Sequence, residues 1–118
     1  FAYASAGHPP PIVVRRGGAI ERLSTGGPML GVFAGAEFPG FACRLEPGDS
    51  VVAFSDGVTE ATRLDGSDFG EERLVAAARA NRGLAPTALV DALFTAVRDF
   101  AGDVPPRDDI TVAVVRMR

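Results

Sequence analysis

Along the first half of the chain, apolar positions recur in the two-residue period of strands; beyond Asp56-Gly57 the spacing lengthens toward the 3.6 residues of a helix. Phe1 to Ala6, Ile12 to Arg16 and Ala19 to Leu23 read as strands. The last two are joined by Gly17-Gly18, since paired glycines supply the positive φ of a tight hairpin turn. Pro9, Pro10 and Pro11 belong outside a strand or at a sheet edge, because proline has no amide hydrogen for the ladder. Ser24 to Gly40 reads as a glycine-rich loop followed by a short strand around Gly31 to Glu37. Phe41 to Leu45 alternates strictly, Glu46-Pro-Gly-Asp49 is a turn, and Ser50 to Ser55 is a mostly apolar strand, which together predict a second hairpin.

The helical period begins near Asp68. With Glu71 three residues later this aspartate resembles a capping box, Glu71 and Glu72 suit a first turn, and Arg79, Arg82 and Gly83 suit an ending, so a helix is predicted from about Phe69 to Arg82. A second helix opens at Pro86, presents Leu89, Val90, Leu93, Phe94, Val97 and Phe100 as one stripe, and ends at Gly102. Pro105-Pro106 breaks the chain, and Ile110 to Val115 reads as a buried terminal strand. Strands, two helices and a returning strand form an α+β pattern without repeat or linker.

Composition narrows the function classes. The 118 residues suffice for one hydrophobic core, and with 47% hydrophobic and 23% charged residues they are too apolar for disorder. A net charge of -3 argues against nucleic acid as partner. All twelve basic residues are arginine, so the glycines at 26, 27, 31 and 35 cannot form a P-loop, which needs a lysine. Cys43 is the only cysteine and sits in phase with Phe41 and Leu45, which points to burial and a reducing, cytoplasmic setting. No apolar run approaches membrane-spanning length. The chain opens at Phe1 inside a strand-like run, which reads as a cut through a larger protein.

Two acidic motifs stand at strand ends. Ser55-Asp56-Gly57 follows the strand Val51 to Phe54, and Asp108-Asp109-Ile110-Thr111 precedes the final strand. Should the two strand ends neighbour each other, Asp56 and Asp108 would converge, and convergent carboxylates repel unless a hard dication such as Mg2+ or Mn2+ lies between them. Either motif alone reads more readily as a solvated turn. His8, the only histidine, reads as a hydrogen-bonded turn residue; Thr59 and Glu60 either support the site or cap the turn; Asp49 and Asp65 read as turn residues.

Five stretches carry a family resemblance: Ala4-Ser-Ala-Gly-His-Pro-Pro-Pro11, Leu45-Glu-Pro-Gly-Asp49, Phe54-Ser-Asp-Gly-Val-Thr-Glu-Ala61, Phe69-Gly-Glu-Glu-Arg-Leu74 and Asp108-Asp-Ile-Thr-Val112. In order and approximate spacing they resemble the SpoIIE-like subgroup of the PPM-type metal-dependent serine/threonine phosphatases, over nearly the whole chain. The resemblance implies an antiparallel β-sandwich flanked by helices, of which residues 1–118 are the C-terminal portion of a single domain. It implies a two-metal Mn2+ or Mg2+ site with Asp56 and Asp108 as ligands, Gly57 letting the chain pass close to the metals, and Asp109 where the eukaryotic branch has asparagine. The metals of such a site activate a water for in-line attack on phosphoserine or phosphothreonine. It further implies a phosphorylated anti-sigma-factor antagonist as protein substrate, in a bacterial partner-switching pathway.

The family's first metal-binding aspartate, in a Gly-Asp motif on an early strand, has no counterpart here, so the isolated fragment is expected to be inactive. A competing reading is a non-catalytic interaction or sensor module with an incomplete site. A haloacid-dehalogenase-type phosphatase would need an Asp-x-Asp nucleophile motif, which the sequence lacks. Half a sandwich leaves an apolar face and open strand edges uncovered, which predicts self-association or poor stability.

Overall fold

The structure, a computed structural model, describes residues 1–118. Its elements run β1 (Ala2–Tyr3), β2 (Ile12–Val14), β3 (Ile20–Arg22), β4 (Phe41–Ala42), β5 (Ser50–Phe54), α1 (Asp56–Thr59), α2 (Gly70–Ala80), α3 (Pro86–Ala101) and β6 (Val112–Arg116). Strands β3, β2, β5 and β6 lie side by side in that order as an antiparallel sheet, and β1 pairs with β4 in a separate antiparallel ribbon. Val13 stands opposite Val51 and Val52 opposite Val114, which makes β5 the strand joining the N-terminal hairpin to the C-terminal strand.

Strand periodicity sends neighbouring side chains to opposite faces, and both faces are used. Ile12, Val14, Val52 and Phe54 pack with Leu74 and Ala78 of α2 and Leu89, Leu93 and Val97 of α3. Val13 and Val51 point the other way and pack with Leu23 and Cys43, beside Tyr3 and Leu45 of the ribbon side. Helices thus cover one face and the β1–β4 ribbon the other, giving the α+β arrangement of two antiparallel sheets flanked by helices, as part of a larger sandwich. Cys43 is buried, as its phase requires.

Several elements depart from the sequence expectations. The second hairpin does not form: β4 pairs with β1, Tyr3 opposite Phe41, and not with β5. The chain between them crosses from one sheet to the other at the Glu46–Asp49 turn, where Gly48 takes φ 94°. No strand forms over Gly31 to Glu37, because Gly31 and Gly35 adopt φ of 82° and 74° and leave Val32 and Phe33 exposed. The terminal strand is not buried either. It is the sheet's edge, alternating between half-buried and exposed, with Val115 60% exposed. Helix α2 lacks the capping box, since Asp68 accepts a hydrogen bond from the Thr62 hydroxyl at 3.0 Å and Phe69 stands at the N-cap with no side-chain bond.

Asp49 is more than a turn residue. It is buried beneath the entry to β5 and accepts hydrogen bonds from the Glu46 and Arg16 amides at 3.0 and 2.9 Å and from Arg15 Nη1 at 2.8 Å. Burial pushes its carboxyl pKa up, but the Glu46 amide, the Arg15 guanidinium and the Arg16 amide outweigh that and hold it below the ordinary 3.8. A carboxylate with a depressed folded-state pKa stabilises the fold above its unfolded value and loses that contribution as pH falls through the folded value. Asp49→Asn should therefore cost about 2–3 kcal/mol near neutral pH. Denaturant titrations should show that cost shrinking as pH drops below 3.8.

Candidate metal centre

The end of the sheet where β5 stops and β6 starts is held by one hydroxyl. Ser55 Oγ donates to the Asp109 carbonyl at 3.0 Å and accepts from the Thr111 amide at 3.0 Å, while the Ser55 amide donates to the Thr111 carbonyl at 3.0 Å. These bonds continue the β5–β6 ladder one residue past its last strand pair, Phe54 with Val112, and fix the Asp108–Asp109 turn beside the residues that follow β5.

Those residues form the short helix α1, where the sequence had suggested a turn. The Glu60 amide and the Thr59 hydroxyl both bond the Asp56 carbonyl, at 2.8 and 3.1 Å, and buried Val58 anchors the helix to the core. Thr59 is thereby a capping residue. Gly57 is buried, and a Cβ placed on it would stand 2.3 Å from the Asp109 carbonyl oxygen and 3.3 Å from that of Asp108. Its need for glycine is one of close approach: the backbone carrying Asp56 lies directly against the backbone carrying Asp108 and Asp109.

The Asp56, Asp108 and Asp109 side chains are exposed. Asp56 Oδ1 accepts from the Gly57 amide at 2.9 Å and Asp108 Oδ1 from the Asp109 amide at 2.7 Å, so each carboxylate commits one oxygen to its neighbour's backbone. The second oxygen of each makes no hydrogen bond within the chain. This donor chemistry, uncommitted carboxylate oxygen on a fixed backbone, fits Mg2+ or Mn2+. No group of three or more His, Cys, Asp or Glu side chains within residues 1–118 is arranged to hold a metal ion. Next to the turn, Pro106 and Ile110 help α3 to enclose a cavity of about 610 Å3 that also reaches Phe94 and Val97.

The other polar residues singled out by sequence lie in local structure. His8 Nδ1 is 2.9 Å from the Pro9 carbonyl oxygen on an exposed turn. Asp65 closes its own turn through the Ser67 amide and hydroxyl, and the Arg63 guanidinium first, then Ser67, hold its carboxyl well below the usual carboxylate range. Sequence reasoning missed Ser55, although its place between an apolar strand and an aspartate was the available signal.

Comparison with known proteins adds the family. The family model described as Stage II sporulation protein E (SpoIIE) matches residues 1–118. Protein IcfG of Synechocystis sp. is 29% identical over 115 residues, which cover 98% of this chain and 18% of that protein. Phosphoserine phosphatase RsbU of Bacillus subtilis is 39% identical over 67 residues, covering 56% of this chain and 20% of RsbU. The chain thus spans a fifth or less of these relatives. Among solved structures, the SiaA-PP2C domain of Pseudomonas aeruginosa superposes with a TM-score of 0.85 at 22% identity, over 99% of this chain and 46% of that one. The phosphatase domain of the cell fate determinant SpoIIE from Bacillus subtilis, presoaked with Mn, gives a TM-score of 0.67 at 21% identity, over 98% and 50%. At these identities the superpositions establish the fold.

Gly57→Ala should lower stability by about 1–3 kcal/mol, because the Asp109 carbonyl cannot move without breaking its bond to Ser55. Thermal unfolding of the variant measures this, and an unchanged midpoint would show that the turn yields freely.

Proposed function

The chain belongs to the SpoIIE family of PPM-type phosphatases, and from that premise we propose that its complete domain hydrolyses phosphoserine or phosphothreonine on a protein, dependent on Mn2+ or Mg2+. The observation that carries this reading is the Ser55 junction. It sets the backbone of Asp56 against that of Asp108 and Asp109, with an uncommitted oxygen left on both Asp56 and Asp108. In this reading Asp56 and Asp108 hold the metals, which when bound supply an activated water and neutralise charge on the phosphoryl group. Gly57 and Asp109 shape the floor between them, Gly57 by omitting a side chain and Asp109 through the carbonyl that Ser55 fixes.

The remaining ligands would come from elsewhere in the domain. Residues 1–118 cover half or less of the solved phosphatase chains named above, and no three acids gather within them. The fragment alone would accordingly turn over little or no substrate, since a displaced nucleophile can cost ~100-fold in rate. The relative named phosphoserine phosphatase supports a phosphoserine substrate, and a phosphorylated anti-sigma-factor antagonist in the cytoplasm is the protein we propose. A second reading, a non-catalytic sensor or interaction module, is favoured by the same lack of a three-acid cluster.

Phosphatase assays with Mn2+ on the complete domain separate the two. Asp56→Asn and Asp108→Asn should each remove most turnover, on the order of 100-fold or more, while leaving thermal unfolding nearly unchanged, because they delete exposed ligand oxygens and no core. Full activity in both variants would sink the assignment. The open edge of β6, with Val115 and Met117 exposed, supports self-association of the isolated fragment. Sedimentation should show mass rising with concentration, and a monomer at every concentration would refute it.

A further inference from the structure

The arginines are not spread evenly. Arg15 and Arg16 follow β2 at the end of the sheet where β5 begins, and the Arg44 carbonyl accepts from Arg15 Nη1 at 2.7 Å. Arg82 Nε donates to the Arg16 carbonyl at 3.2 Å, and Arg79 lies beside it, its Cγ 3.9 Å from where a Cβ on Gly18 would stand. Arg116 bonds the Ser50 hydroxyl at 2.9 Å and the Arg82 carbonyl at 2.7 Å. Arg118 follows Met117, whose amide bonds the Asp49 carbonyl. Seven of the twelve arginines therefore share one pole with three acids, Glu21, Glu46 and Asp49, whereas the other five share the rest of the chain with twelve acids. The chain carries a net -3, yet this pole is positive, and it lies at the opposite end of β5 from Asp56.

Part of this charge is structural. Arg15 is spent on Asp49 and Glu21, and Arg116 on Ser50 and the carbonyls of Leu84 and Arg82. Arg16, Arg44, Arg79 and Arg118 are different: all four are exposed, and none has an ion pair or a side-chain hydrogen bond within the chain. Arg16 and Arg44 line a depression of about 810 Å3 whose wall also includes Arg15, Glu46, Asp49 and Pro47 and contains no aromatic ring. Unpaired like charges held close together repel, and the fold gains nothing from holding them there.

We propose that this arginine pole is a docking surface for an acidic protein segment, one rich in Asp and Glu. The planar guanidinium fork matches carboxylates in two-point contacts. Pro47 is the one apolar side chain of the wall, with no aromatic ring or long aliphatic chain beside it to enter a bilayer, and Glu46 interrupts the continuous positive track that a nucleic-acid backbone follows. The surface lies apart from the acid-bearing junction, so a partner held here leaves that junction open. The inference does not rest on the phosphatase reading.

Fluorescence anisotropy with a labelled peptide of alternating Asp and Glu, added to the complete domain, tests it. Binding should weaken ~10-fold or more between about 50 and 200 mM salt. It should weaken ~10-fold or more in the paired variant Arg16→Glu/Arg44→Glu and, independently, in Arg79→Glu/Arg118→Glu, while Arg98→Glu, outside the pole, binds as the parent does. The Arg16/Arg44 pair should leave the thermal midpoint unchanged. Equal peptide binding by both paired variants would overturn the proposal. So would retention of phosphatidylglycerol vesicles or duplex DNA by a domain that ignores the peptide, since the occupant would then be of another class.

Discussion

Burial of β5 on both faces is the constraint from which the rest follows. Val52 and Phe54 face the helices, Val51 faces the ribbon side, and β2 and β6 occupy both hydrogen-bonding edges. A fully buried side chain of this kind contributes about 1.5–3 kcal/mol, so three side chains of one strand anchor both layers. A strand so enclosed cannot slip by one residue without exchanging its two faces. Its ends are therefore fixed points, and each is closed by a polar clamp: Asp49 gathers Arg15 and two amides at the entry, and Ser55 binds the start of β6 at the exit.

The two clamps divide the molecule electrically. At the exit the backbone that follows Asp56 lies against the backbone of Asp108 and Asp109, and the three acids are exposed. At the entry an ion-paired, buried carboxylate organises arginines around it. Asp49 is what lets Arg15 sit among other guanidiniums, and the order it imposes on the turn carries the chain from the ribbon to the sheet. The placement of charge at both poles is thus a product of strand ends.

The parts most legible in the sequence were those with long, repeated patterns. Helix α3 runs from Pro86 to Ala101 as its stripe, its proline and its closing glycine indicated. Asp56 and Asp108 were read as neighbours from their positions at strand ends, and the backbone of the two turns does meet. What escaped was short or decided at a distance. The strands β1 and β4 have two residues each, too few for a period to declare a partner, so the apparent hairpin of Phe41 to Ser55 hid a crossing between sheets. Four-residue α1 looked like a turn for the same reason. Asp68 was taken by Thr62, and Asp49 by Arg15, 34 positions away, and neither choice is written in local sequence.

Ser55 and Gly57 bear on how such a site could be built elsewhere. The hydroxyl at 55 both gives and receives a hydrogen bond, and the missing Cβ at 57 leaves room for a carbonyl that no side-chain repacking could displace. The exposed acids, by contrast, ask nothing of the scaffold except a place to stand. An engineer transplanting these paired turns would have to carry the serine and the glycine as the fixed frame. The acidic side chains, which the fold leaves exposed, could then be varied without disturbing that frame.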